Sequence, residues 1–395
     1  MEIRNTAVLG AGTMGASIAV ALANSGYPVL LKDVNQAALD SGNARIDRFF
    51  KSLVKKGLSE EEAAEKRKLI TTQTGYDNFN HVDIAIEAVL EDMNVKRMVF
   101  QELEHVCRRE AILASNTSGL SLTQIASFTK SPDRVVGTHF FNPAHIMNLV
   151  EVIAALNTSE EAVETTLTFA RSLGKLAVRV QECPSFLVNR LLGRYMNEAL
   201  WCLEEGVSIE DIDKAATEMG MPIGPLALRD MNGADIGLAV ASYNHAEYGD
   251  RYRPSGVLSA MVKKNLLGQK TGKGFYLYDA ETKKRTEPNT EIQDLAVGIR
   301  NSEGKWAPFT PQRLFLPMIN EAFMTVQERI CAPEELDPAM ESALNMKQGP
   351  FKLANEIGLA NCLVQMQKHY EIYGERFRPA PLLKRYVWGK RTTAP

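Results

Sequence analysis

Apolar residues arrive in short blocks through the first third of the chain and at helical spacing towards its end. Thr6-Ala7-Val8-Leu9-Gly10 reads as a short buried strand, followed by an apolar helix over 16–25 that Gly26 ends and a second strand over 28–33. Further short β-rich runs lie at Val82-Asp83-Ile84-Ala85-Ile86-Glu87, Ala111-Ile112-Leu113-Ala114-Ser115 and Val135-Val136-Gly137-Thr138, with helix-like segments between them. Strands alternating with helices predict a doubly wound parallel sheet. Residues 36–70 interrupt the alternation with two expected helices, 37–58 and 59–69, the second capped by Ser59 with acidic residues in its first turn.

Beyond about residue 184 the period becomes helical, as in Leu191, Leu192, Tyr195 and Ala199, and later Leu314, Ile319 and Phe323. This half contains itself twice. Asn197-Glu198-Ala199 recurs as Asn320-Glu321-Ala322, Glu210-Asp211-Ile212-Asp213 as Glu334-Glu335-Leu336-Asp337, and Gly224-Pro225 as Gly349-Pro350. The spacing grows by a residue at each step, which implies small insertions between related helical units. Arg190 then aligns with Arg313 and Asn189 with Gln312, so the second copy is read as scaffold. The expected organisation is an α/β domain over 1–183, a first helical module over 184–279, a polar linker over 280–310 marked by Pro288 and Pro308, and a second helical module over 311–395.

Composition narrows the function. With 45% hydrophobic and 24% charged residues the chain is an ordinary globular type, and a formal net charge of -3 argues against a general nucleic-acid binder. Five scattered cysteines form no C-x-x-C pair, which suits a reducing, cytoplasmic setting. No signal peptide and no membrane span are expected. His81, His105, His245 and His369 lie in separate segments without ligand spacing, so no metal is expected.

The chemistry-bearing residues cluster in the first half. Gly10, Gly12 and Gly15 form G-x-G-x-x-G between a strand and a helix, the arrangement in which glycines let the backbone turn tightly and approach a pyrophosphate at a helix N-terminus. Asp33 ends the next strand, where a carboxylate accepts from ribose hydroxyls and repels a 2′-phosphate, favouring NAD over NADP. This context makes the α/β domain Rossmann-type. Glu87, Ser115 to Ser118 and His139 fall at the expected C-terminal ends of three strands, facing one crevice. His139 is placed in a turn punctuated by Gly137, Asn142 and Pro143, and Glu151 follows in a strand-like run. A histidine oriented by a carboxylate accepts a proton near neutral pH, because an unperturbed imidazole titrates at about 6.5. Arg45, Arg48, Lys51, Lys55 and Lys56 on the expected helix 37–58 form either a solvated face or a clamp for the phosphates of a large anionic substrate.

Gly10-Ala11-Gly12-Thr13-Met14-Gly15, Glu87 through Lys96, Ser115-Asn116-Thr117-Ser118, Thr138-His139-Phe140-Phe141-Asn142-Pro143 through Glu151, and Pro184 through Arg190 together resemble the 3-hydroxyacyl-CoA dehydrogenase family over essentially the whole chain. His145 and Lys270-Thr271-Gly272-Lys273-Gly274-Phe275-Tyr276 are most similar to the dehydrogenase portion of multifunctional β-oxidation proteins, with no hydratase segment expected ahead of it. The resemblance implies NAD-dependent oxidation of (3S)-3-hydroxyacyl-CoA to 3-oxoacyl-CoA, the substrate entering between the α/β and first helical domains. It implies that His139 is the base and Glu151 its partner, and that Ser118 and Asn189 hold the reacting oxygens. It further implies cofactor contacts from Gly10, Gly12, Thr13, Met14, Gly15, Asp33, Glu91, Lys96 and Asn116, and substrate contacts from Asn142, Lys51 and Lys55. Ser185 stands where the family usually has glycine; if that turn needs a positive φ, Ser185 is strained. Single-module relatives pair two subunits through that module, so the fused copy is expected to supply this packing within one chain, as a monomer or homodimer.

Two other readings fit the same motifs: a dehydrogenase of a free 3-hydroxy acid or sugar acid, and a non-catalytic NAD(H)-binding structural protein. The cationic helix favours the CoA ester over the first. The retained Ser118, His139, Glu151 and Asn189 disfavour the second. Acyl-chain type, pathway and direction are not written in these motifs.

Overall fold

Short apolar runs build the strands of the first half: β1 (Thr6–Leu9), β2 (Val29–Lys32), β3 (Ile70–Gln73), β4 (Ile84–Glu87), β5 (Ile112–Ser115), β6 (Val135–Phe140), β7 (Leu149–Ala154) and β8 (Leu176–Gln181). The helices between them are α1 (Thr13–Asn24), α2 (Gln36–Val54), α3 (Glu60–Lys68), α4 (Met93–Val106), α5 (Leu122–Ala126) and α6 (Glu160–Ser172). The computed structural model describes residues 1–299 and 306–395, which divide into two units, Met1–Phe186 and Leu187–Pro395.

The first unit is one eight-stranded sheet in the order β3-β2-β1-β4-β5-β6-β7-β8. Every neighbouring pair is parallel except β6–β7. The central strands β1, β4, β5, β6 and β7 are buried on both faces, as strands covered by crossover helices must be. The order reverses beside β1, which pairs with both β2 and β4, and this opens a crevice at the strands' C-terminal ends. Ser59 caps α3 through a complete capping box with Glu62.

Two expectations about this unit need correction. His139 lies inside β6, not in a turn. Gly137 reads as a turn glycine but serves packing: a Cβ there would sit 2.5 Å from Leu122 and 2.9 Å from Ile153. The sheet is also larger than the sequence pattern predicts, since β3 and β8 are edge strands whose mixed polarity hides them.

The second unit is mostly helical. Its first part runs α7 (Val188–Glu204), α8 (Ile209–Glu218), α9 (Pro225–Asn232), α10 (Ala234–Tyr248), a 3-10 turn at Gly249–Tyr252, α11 (Val257–Lys263) and a hairpin of β9 (Tyr276–Tyr278) and β10 (Arg285–Pro288). After α12 (Thr290–Ile299) come α13 (Pro311–Gln327), α14 (Pro333–Leu344), α15 (Pro350–Ile357), α16 (Leu359–Tyr373), a second 3-10 turn at Gly374–Phe377 and α17 (Pro381–Trp388). The segment expected as a polar linker over 280–310 therefore holds β10 and α12. Ile292 and Ala296 are fully buried, so the apolar face of α12 packs despite the polar flanks. Its residues 300–305 lie outside the described residues.

The two helical copies match in element length: α7 and α13 have 17 residues each, α9 and α15 eight, α10 and α16 fifteen. Equivalent side chains do equivalent work. Asp213 accepts from the first N–H groups of α9, Leu226 at 2.8 Å and Ala227 at 3.0 Å; Asp337 accepts from Phe351 and Lys352 of α15, both at 2.8 Å. Across the copies the ion pairs are reciprocal. Arg190 meets Glu321 and Glu328 at 2.8 and 2.7 Å, while Arg313 meets Glu198 and Glu205 at 2.8 and 2.6 Å. Arg251 joins the first cluster and Arg376 the second. Tyr248 stacks under Arg190 as Tyr373 does under Arg313. Such exchange of identical partners is the signature of an isologous contact, here between two halves of one unit.

Candidate active site

The glycine turn between β1 and α1 leaves a seat for a pyrophosphate. Gly10 has φ 100°, and a Cβ there would lie 2.5 Å from the Ala88 carbonyl oxygen. A Cβ on Gly15 would lie 1.7 Å from the Gly10 oxygen, so helix and turn meet as backbone on backbone. A Cβ on Gly12 would meet nothing within 4 Å. Gly12 is the N-cap of α1 and supplies no side-chain cap, so the N–H groups of Thr13, Met14 and Gly15 have no capping side chain. Donors aimed into open space at a helix N-terminus fit the phosphates of a dinucleotide.

Asp33 follows β2. Its Oδ2 accepts from the Ala11 N–H at 2.6 Å and its Oδ1 from the Val34 N–H at 2.6 Å. The carboxylate thus anchors the glycine turn, and each oxygen retains a lone pair for a ribose hydroxyl. Gly42 brings α2 against the turn, where a Cβ would lie 2.6 Å from that of Ala11. Arg45 of α2 reaches the Ala11 carbonyl at 3.5 Å, placing a cation beside the seat. Lys51 and Lys55 end the same helix as exposed ammonium groups that make no ion pair among the described residues.

At the ends of β4 and β5 a buried network forms. Lys96 on α4 is 1% exposed and donates to both oxygens of fully buried Glu87, at 2.8 and 2.9 Å. It also meets Glu91 at 3.0 Å, and Ser115 Oγ donates to Glu87 at 2.6 Å. With its ammonium held by two carboxylates, Lys96 organises the loop. Glu91 in turn accepts from the Ser118 N–H at 2.9 Å and from Thr117 Oγ1 at 2.6 Å. Asn116 Oδ1 accepts from the Phe140 N–H at 2.9 Å, which ties the loop to β6 beside His139. Ser118 itself is exposed, and Ser121, not Ser118, caps α5. The Ser118 hydroxyl therefore has no capping duty.

His139 and Glu151 face each other directly in the antiparallel β6–β7 register. Opposed residues on such strands point to one face, and here Nδ1 of the imidazole lies 2.6 Å from Glu151 Oε2. Glu151 is fully buried and His139 is 5% exposed. Phe141 and Phe186 flank the ring at centroid distances of 4.6 and 5.9 Å. A buried carboxylate on Nδ1 fixes the tautomer that carries its proton there, leaving Nε2 as the acceptor.

The 141–148 connection carries exposed Asn142 and is pinned beneath. His145 Nδ1 lies 2.8 Å from Ser17 Oγ of α1 and its ring packs on Phe49 of α2 at 4.4 Å. Burial, with the nearby Lys175 and Lys56 charges, pushes its pKa down to about 4, so it is neutral. Lys175 donates to the Ala144 and Met147 carbonyls at 2.8 and 2.7 Å.

The structure thus brings Glu91, Lys96, Asn116, Ser118, His139 and Glu151 into one region of the first unit, with the glycine turn and Asp33 on the same crevice. Asn189 belongs to the second unit, in the first turn of α7, half-buried and with no hydrogen bond to its amide among the described residues. Ser185 does take a positive φ, 63°, and Phe186 follows at 54°. Sequence reasoning missed the supporting roles of Thr117, Ser17 and Lys175, whose partners are remote in the chain.

Comparison with known proteins agrees with this geometry. Residues 5–183 match the model of the 3-hydroxyacyl-CoA dehydrogenase NAD binding domain, and residues 186–278 and 309–394 each match that of the C-terminal domain. The chain is 35% identical over 389 residues to a fatty acid oxidation complex subunit alpha from Shewanella amazonensis, covering 97% of this chain and 55% of that one. It spans about half the length of the curated relatives it matches. A solved 3-hydroxybutyryl-CoA dehydrogenase from Escherichia coli K12 superposes with TM-score 0.87 at 28% identity, covering 98% of this chain and 99% of that one. The (S)-3-hydroxybutyryl-CoA dehydrogenase PaaH1 from Ralstonia eutropha, 39% identical, covers 70% of this chain and all of its own with TM-score 0.69.

Proposed function

From the chain's membership of the 3-hydroxyacyl-CoA dehydrogenase family, we infer that it oxidises (3S)-3-hydroxyacyl-CoA to 3-oxoacyl-CoA with NAD. The observation that carries this reading is the cross-strand His139–Glu151 pair on the same sheet as a dinucleotide seat.

NAD, when bound, accepts the C3 hydride. The chain's residues do the rest. The N–H groups behind Gly12 and the carboxylate of Asp33 hold pyrophosphate and ribose. Thr13 and Met14 border the seat, while Lys96 and Glu91 shape the loop alongside it. His139 takes the C3 hydroxyl proton on Nε2 while Glu151 holds Nδ1 and compensates the imidazolium charge. Ser118 donates to the C3 oxygen. Asn189 offers its amide to the C3 or thioester oxygen, where negative charge gathers. Asn142 borders the substrate, and Lys51 and Lys55 attract the CoA phosphates. The CoA ester and the five scattered cysteines, with no C-x-x-C spacing, suit a cytoplasmic enzyme. Among the described residues no helix is long and apolar enough to cross a membrane.

The test is NADH formation from (3S)-3-hydroxybutyryl-CoA beside the free 3-hydroxy acid, with NADP in parallel. Turnover confined to the CoA ester with NAD is expected. Turnover of the free acid alone, or none with any substrate, contradicts the reading.

A further inference from the structure

The contact between the two helical copies breaks its own symmetry at a buried arginine. Arg194 of α7 is 2% exposed. The spacing that matches Arg190 to Arg313 and Glu198 to Glu321 matches it to Pro317 of α13. Pro317 is buried too, and α7 and α13 pack against each other.

Arg194 reaches into both copies. One terminal nitrogen of its guanidinium donates to the Arg251 carbonyl and the other to the Arg376 carbonyl. Arg251 and Arg376 are themselves counterparts, at the same place in the two 3-10 turns, and those turns pack together. The Arg194 Nε lies 3.6 Å from Glu321, which also meets Arg190 and Arg251. The guanidinium stacks on Tyr252, with Cζ 4.8 Å from the ring centroid.

These partners locate the group. In an isologous contact, equivalent atoms are related by a two-fold operation, and the midpoint between them lies on its axis. A guanidinium that bonds both equivalent carbonyls therefore sits at that axis, where there is room for one. An arginine at position 317 would bring a second guanidinium to the same point from the opposite helix. Charge excludes it as well as space. Three arginines, Arg190, Arg194 and Arg251, surround Glu321 and Glu328, whereas two, Arg313 and Arg376, surround Glu198 and Glu205. Among the described residues these clusters already hold one more cation than carboxylates, and a further buried like charge beside Arg194 would be repelled. Pro317 leaves the axis free with a short, uncharged ring, although a proline inside a helix gives up the bond from its own nitrogen to the carbonyl four residues earlier.

We propose that α7 and α13 form a docking surface for unlike faces, with one guanidinium on its axis. The Arg194 face accepts a Pro317 face, which this chain supplies from its own second copy, and it rejects another Arg194 face. Two copies of the chain consequently do not join through α7, because that encounter sets Arg194 against Arg194. The inference concerns the helical unit alone and holds whatever reaction the first unit serves.

The test is a set of variants of the full chain, unfolded in urea and followed by the fluorescence of Trp201, Trp306 and Trp388, all of which lie in the helical unit. Pro317→Met is the reference, since it removes the proline without adding charge. Pro317→Arg recreates within one chain the meeting of two Arg194 faces and is expected to lower the midpoint by about 1 M or more. Arg194→Met with Pro317→Met empties the axis and lowers it by less. Arg194→Met with Pro317→Arg moves the lone arginine to the other helix and is expected to restore the midpoint to near the reference. A merely local packing role for either residue gives additive losses and no restoration. Additive losses overturn the proposal, as does Pro317→Arg unfolding at the reference midpoint. If Pro317→Arg yields no folded chain, the arginine-transfer variant decides alone: a folded monomer by light scattering upholds the proposal and failure to fold overturns it. A dimer of the unaltered chain that crosslinks α7 to α7 overturns it as well.

Discussion

The two helical modules share a skeleton and differ in what they leave open. Both carry the buried Arg, the Glu that answers the other copy, the Asp that caps the third helix, and an Asn that brackets the turn after the fourth. Asn197 bonds the Arg253 carbonyl and the Ser255 N–H; Asn320 bonds the Arg378 carbonyl and the Ala380 N–H. Only the first carries Asn189, Gly193, Arg229 and Gly237, where the second has Gln312, Leu316, Ala354 and Cys362. The residues that repeat pair the copies and cap their helices, and those four positions are where the copies diverge.

The strongest way to break that comparison is at the reciprocal ion pairs. Arg190→Met and Arg313→Met each strand a buried carboxylate cluster, and each is expected to cost about 3–5 kcal/mol in chemical denaturation of the helical unit. Equal losses support a symmetric contact. A large loss in one and none in the other shows that only one cluster holds the copies together.

Asn189→Ala is expected to lower kcat by about 10²–10³, the scale for removing one donor to a developing oxyanion. Gln312→Ala at the matching position leaves turnover alone. If both behave alike in steady-state kinetics, the assignment of one module to the substrate and the other to scaffold is wrong.

A smaller effect separates Asn244 from its counterpart His369. Burial, with the Arg313 charge beside it, pushes the His369 pKa down to about 4. Its folded value lies below the unfolded value of about 6.5, so the unfolded chain binds the proton more readily between those limits. Stability contributed by neutral His369 is complete above about 6.5 and is lost as pH falls towards 4. His369→Asn flattens that part of the stability–pH curve; an unchanged curve between 6.5 and 4 counts against the burial argument.

The sequence showed the sheet's centre and its glycine turn because buried parallel strands are continuous apolar blocks and the turn leaves a fixed spacing. It concealed β3 and β8, since edge strands mix polar and apolar residues. His139 and Glu151 were identifiable as residues, but their contact depends on β7 reversing direction against β6, and no local pattern carries that register. Gly137 misled because a strand glycine needed for packing resembles a turn glycine. The 280–310 segment misled for the opposite reason: two prolines and many charges masked the buried face of α12. The repeat was legible from three recurring phrases, whereas the crossed Arg–Glu pairs exist only once the two copies are folded together.

The account depends most on His139 acting as the base with Glu151 holding it. Its most direct test is single-turnover NADH formation by His139→Gln with saturating (3S)-3-hydroxybutyryl-CoA and NAD, alongside NAD affinity measured by fluorescence titration. The account predicts a rate lower by about 10²–10⁴ with cofactor affinity unchanged. A near-normal rate in that variant contradicts it.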